Sequence, residues 1–129
     1  MINFGLKQYE WQKSMNNIMQ NVNLNDMRVL YDGTIEFDFL NSHNGDFYKK
    51  IRFINVWKVE SENNIEKGEY LPFFICDIFV HKLKKEEIAS AFSYLRYGFN
   101  IPDADEYHLV CMESGDISLH LLCESFEIC

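Results

Sequence analysis

The chain has 129 residues, 47% of them hydrophobic and 16% aromatic, and carries a formal net charge of −8. That length fits one domain spanning residues 1–129 with a real apolar core, which excludes a disordered chain. Two prolines and six glycines exclude a collagenous or linker-like chain.

Phe4, Trp11, Met15, Ile18 and Val22 recur at helical spacing, so the first element is expected as a helix from about Phe4 to Val22. The asparagines between Asn21 and Asn25 are expected to end it. Strand character follows over Met27 to Tyr31. Asp32-Gly33 is a strong hairpin signal before Thr34 to Leu40, where Ile35, Phe37 and Phe39 alternate with Glu36 and Asp38. Asn41 to Asp46 reads as a turn, and Phe47 to Val59 as a third strand with Ile51, Phe53 and Trp57 facing inward. Ser61 to Glu69 is a charged loop. Leu71 to Leu83 is apolar on both faces, the pattern of a central strand covered twice. Ile88, Ala91, Phe92 and Leu95 then mark a second helix over residues 84–97, with Glu86 and Glu87 in its first turn and Gly98 as its C-cap. Two strands close the chain, Tyr107 to Met112 and Ile117 to Ile128. The fold expected is α+β, a mainly antiparallel sheet of about five or six strands with these two helices, and a β-sandwich with peripheral helices is the alternative.

The N-terminus shows no basic leader followed by an apolar run, and the longest apolar block is shorter than the about 20 residues of a membrane helix. A cytoplasmic location with no membrane partner is therefore expected. Cys76, Cys111 and Cys123 sit in apolar runs and are expected as buried, reduced thiols. His108, Cys111, His120 and Cys123 form two His-x-x-Cys spacings of the kind that binds zinc. On strands, residues three apart point to opposite faces, so four ligands would not converge, and no metal or other cofactor is expected.

Catalytic motifs are equally sparse. There is no nucleophile elbow and no glycine-rich phosphate loop. Glu36 and Asp38 read as carboxylates on a wet sheet face. A calcium loop beginning at Asp103 would need Gly at position 108 and Glu at 114, where the chain has His108 and Ser114. Lysines and Arg52 lie near Phe47, Tyr48 and Phe53, but the acidic balance argues against nucleic acid.

The most directional feature is charge. No Lys or Arg follows Arg96, whereas Asp103, Asp105, Glu106, Glu113, Asp116, Glu124 and Glu127 do. Such one-sided charge steers encounter with a basic protein, and Asp103, Asp105, Glu106, Glu113 and Asp116 are the expected partner-binding residues.

The segments Ile51-Arg52-Phe53-Ile54-Asn55-Val56 and Ser114-Gly115-Asp116-Ile117-Ser118-Leu119, with the acidity and strand content of the whole chain, resemble those of small immunity proteins of bacterial polymorphic toxin systems. The resemblance implies a non-catalytic inhibitor of a basic toxin, commonly a nuclease. It assigns no residue by position. The alternative is a small-ligand-binding domain or small enzyme with a pocket between sheet and second helix.

Overall fold

Polar and apolar residues alternating along a strand, as from Ile35 to Phe39, build an antiparallel sheet with one face turned to a core. In the computed structural model, which describes residues 14–63, 73–114 and 117–129, the sheet has six strands. They are β1 (Asn16–Val29), β2 (Ile35–Asn41), β3 (Phe47–Asn63), β4 (Phe73–Lys82), β5 (His108–Glu113) and β6 (Ile117–Ile128). They close into a barrel in the order β1-β2-β3-β6-β5-β4, with every neighbouring pair antiparallel. Each strand thereby gains two neighbours, which limits the exposed sheet edge. The mainly antiparallel α+β class stands, as a barrel and not a sandwich. No helix among the described residues is long and apolar enough to cross a membrane.

The expected N-terminal helix is corrected. Residues 16–22 are extended and belong to β1, while residues 4–13 lie outside the described residues. The cause is a change of face inside the strand. Met19 opposes Ile78 and Val22 opposes Ile75, and all four side chains enter the barrel core although each strand has advanced three residues. Between them Asn21 adopts φ +54°, the left-handed conformation that asparagine tolerates better than most residues. A step of three on one face imitates a helical period. The same switch explains why Ile75, Ile78 and Val80 made β4 look apolar on both sides.

A second kink of this kind sits in β3. Phe53 opposes Phe126 and Val56 opposes Cys123, with Asn55 at φ +53° between them. The β1–β2 turn locks onto it: Val56 donates its N–H to the Gly33 carbonyl at 2.9 Å, and Gly33 itself has φ +89°. Beyond the kink Trp57, expected to face inward, is exposed and donates its indole N–H to Glu124 at 2.9 Å.

Two cores result. Phe37, Phe39, Ile51, Phe53, Val110 and Leu121 fill the barrel. Outside it Leu109, Cys111 and Leu122 form an apolar patch that must be covered, and the segment after β4 covers it with Ala91, Phe92 and Leu95. That segment is shorter than the expected helix over 84–97: a 3-10 turn at Lys85–Glu87 leads into α1 (Ile88–Tyr94). It ends before Gly98 because Arg96 takes the left-handed position at φ +56°. Tyr97 N–H then reaches the Phe92 carbonyl at 3.0 Å and Arg96 N–H the Ser93 carbonyl at 3.0 Å, the two bonds of a Schellman end.

Candidate functional site

After this abrupt stop a loop from Tyr97 to Tyr107 leads to β5, with Tyr97, Ala104 and Tyr107 packed on the outer core. Tyr97 is stacked edge-on against Phe92 at 5.1 Å, which ties the first residue of the crossing to the outer core. Phe99 leans on Tyr97 at 5.7 Å yet remains 81% exposed, and Ile101 is 41% exposed. Leu83 donates its N–H to the Tyr107 carbonyl at 2.9 Å, fixing the other end of the loop to the end of β4. The loop is therefore anchored at both ends, with two apolar side chains left in water.

Its carboxylates divide by partner. Glu106 receives a bond from the Lys82 ammonium at 2.9 Å, and that bond holds its carboxyl below the ordinary range. Asp103 and Asp105 are exposed and have no ion-pair partner among the described residues. Glu124 on β6 lies beside Asp105 and Glu106 across a shallow hollow of about 380 Å³. Glu124 was not among the expected site residues, because the cross-barrel neighbourhood of β6 cannot be read from local sequence.

Between this loop and the end of β4 lies a groove of about 480 Å³. Leu83, Ile88, Ile101, Pro102 and Ala104 supply its apolar lining, with Asp103 and Asp105 on the loop side and Lys82 and Lys85 on the strand side. Tyr107 also lines it, packed edge-on against Phe92 at 5.3 Å. The Tyr107 hydroxyl is buried with no hydrogen-bond partner of good geometry. Burial pushes its pKa up, and the approach of the Ala104 backbone offsets only part of that. The hydroxyl is thus under-satisfied, with the Ala104 backbone as its nearest polar neighbour.

The structure does not bring all five expected residues together. Asp103, Asp105 and Glu106 share the loop before β5, whereas Glu113 ends β5. Six extended residues separate the two ends by roughly 20 Å. Glu113 is also engaged, receiving Ser118 Oγ at 3.4 Å and lying 3.4 Å from His120 Nε2. Asp116 lies outside the described residues.

The remaining candidates have structural surroundings. His108 opposes Cys123 and Cys111 opposes His120, one pair on each face of the β5–β6 hairpin. Among the described residues no three His, Cys, Asp or Glu side chains gather as metal ligands. Cys111 lies under α1, where burial raises its thiol pKa strongly, and Cys123 lies in the barrel, where burial raises it to about 12. Neither is set up as a nucleophile, which must reach the thiolate. The Cys76 side chain lies outside the described set.

Glu36 and Asp38 lie on the outer sheet face, as expected, but both are ion-paired there, and Glu36 belongs to a cross-strand charge row. Arg28, Glu36, Arg52 and Glu127 stand opposite one another on β1, β2, β3 and β6, alternating in sign. Arg52 holds Glu36 at 2.7 Å and Arg28 holds Asp38 at 2.8 Å, and these bonds keep both carboxyls below their ordinary range. A second pair was missed: His81 Nε2 lies 2.9 Å from Glu87 Oε1, both buried, and Glu87 also accepts the Lys84 N–H at 2.7 Å. This pair ties β4 to the start of α1 and opens on no cavity of the groove.

No curated protein matches the chain. A solved structure of an uncharacterized protein from Neisseria gonorrhoeae is similar in fold, with a TM-score of 0.63 and 18% identity, covering 88% of this chain and 95% of that one. A family model whose description reads only "-like" matches residues 17–129, and the chain belongs to that family.

Proposed function

We propose that this protein is a non-catalytic protein-binding module, a cytoplasmic immunity-type inhibitor that blocks a basic toxin or enzyme through the loop from Tyr97 to Tyr107. The observation that carries this reading is the pairing, in one anchored loop, of exposed Phe99 and Ile101 with the carboxylates of Asp103 and Asp105, which have no ion-pair partner among the described residues. Interfaces place large apolar anchors at the centre and charge at the rim, where it steers approach. Glu124 extends the acidic rim onto β6, and Glu106 is partly committed to Lys82. Glu113 drops to a secondary role, since it sits at the far end of β5 with partners of its own, while Asp116 lies outside the described residues. The groove beside the loop also suits a small ligand, which keeps the small-ligand reading as the second one.

The test is to screen the products of the neighbouring genes for binding and to follow association with any basic one that binds by stopped flow over a range of salt. Steered binding slows steeply as ionic strength rises, because screening sets in at roughly 10 Å near 0.1 M salt. A complex whose association rate ignores salt, or the lack of any complex, overturns the reading.

A further inference from the structure

Resting on that protein-binding reading, we propose that the groove between the end of β4 and the loop before β5 is a receptor for one long cationic side chain, an arginine or lysine of the partner. Its lining is built for an aliphatic stem: Leu83, Ile88, Ile101, Pro102 and Ala104 offer apolar surface without a charge of their own. Long cationic side chains bury such stems and keep their heads at a polar rim. The rim here carries Asp103 and Asp105, both exposed and without an ion-pair partner among the described residues. Lys82, the cation on the opposite wall, is already neutralised by Glu106 at 2.9 Å, so it repels an incoming cation less than its formal charge implies. Lys85, the other cation of the groove, is exposed to solvent, which screens its charge.

A second observation points the same way. Tyr107 lines the groove and its hydroxyl is buried with no hydrogen-bond partner of good geometry, so an N–H donor that reached past the Ala104 backbone would satisfy it. A guanidinium offers several N–H donors in a planar fork, enough for a carboxylate and a phenol oxygen together. The volume of about 480 Å³ falls within the roughly 300–1,000 Å³ of sites that enclose small organic groups.

The probe is n-butylguanidinium, which carries stem and head without a protein attached. Methyl NMR shifts of Ile88, Ile101 and Ala104 in the full chain are followed during titration, with guanidinium and 1-butanol alone as parallel arms at matched ionic strength. The expected result is saturation with butylguanidinium only. Replacing both carboxylates (Asp103→Asn with Asp105→Asn) weakens that binding about tenfold or more, the loss of a charge-assisted contact. Tyr107→Phe weakens it a few-fold while the other methyl signals report an intact fold. Shifts that never saturate, or that saturate equally in the double variant, overturn the proposal. Saturation in a protein with no salt-dependent partner keeps the site and removes the inhibitor reading; salt-dependent partner binding without saturation removes the site alone.

Discussion

Two asparagines determine where this barrel bends. Asn21 and Asn55 each take a left-handed backbone in mid-strand, and at each one both paired strands change face. A residue with a full side chain and no αL tolerance pays about 1–2 kcal/mol there, whereas glycine adopts the conformation freely. Asn55→Ala is therefore expected to lower unfolding stability by about 1 kcal/mol, and Asn55→Gly to leave it nearly unchanged, read by urea denaturation. Equal losses in the two variants would mean that the side chain, not the backbone, matters. These kinks also mark where local sequence stopped being informative. Met15, Ile18 and Val22 sit at helical spacing because a bulge after Asn17 and the switch at Asn21 break the period of two. Met15 leans on the outer core, while Ile18 and Val22 serve the inner one.

The segment between β4 and β5 is built from local signals that the sequence does carry. Ile88, Ala91, Phe92 and Leu95 were legible as one apolar face, and they do pack on the outer core. Its length was not legible, because the helix stops at an arginine instead of the available glycine. Arg96 holds φ +56° with its side chain largely in solvent and only a 3.9 Å contact to Glu60. Arg96→Gly is expected to raise stability by about 0.5–1 kcal/mol, seen as a higher Tm with unchanged helix content. The other end depends on Glu87. Burial raises its carboxyl, but the Lys84 N–H and His81 outweigh that, so the net shift is below its ordinary value of 4.5. A depressed carboxyl stabilises the fold above the ordinary value and loses that contribution as pH falls through the folded one. Wild type should thus lose more Tm than Glu87→Gln between about pH 6 and about pH 3, and equal losses would assign acid sensitivity elsewhere.

At the scale of the molecule, the strand-rich class and the two hairpin turns were written in alternation and turn residues. The Asp32-Gly33 signal and the Asn41–Asp46 cluster both fall between paired strands. Closure was not legible: β3 pairs with β6 and β1 with β4 across long sequence gaps, and no local pattern encodes those registers. The same blindness applies to the site. The acidic run after Arg96 was visible as composition, but the barrel distributes it. Asp103 and Asp105 share a loop with exposed Phe99 and Ile101 and have no ion-pair partner among the described residues, Glu127 is tied to Arg52, and Glu113 stands at the other end of β5. We propose that this loop captures a basic partner. The most direct measurement is the association rate of a basic neighbouring-gene product that binds, with wild type and with the Asp103→Asn, Asp105→Asn double variant, at low and high salt. The variant is expected to associate about tenfold more slowly at low salt, with high salt erasing the difference. Equal rates at low salt, with Glu113→Gln slowing association instead, would contradict it.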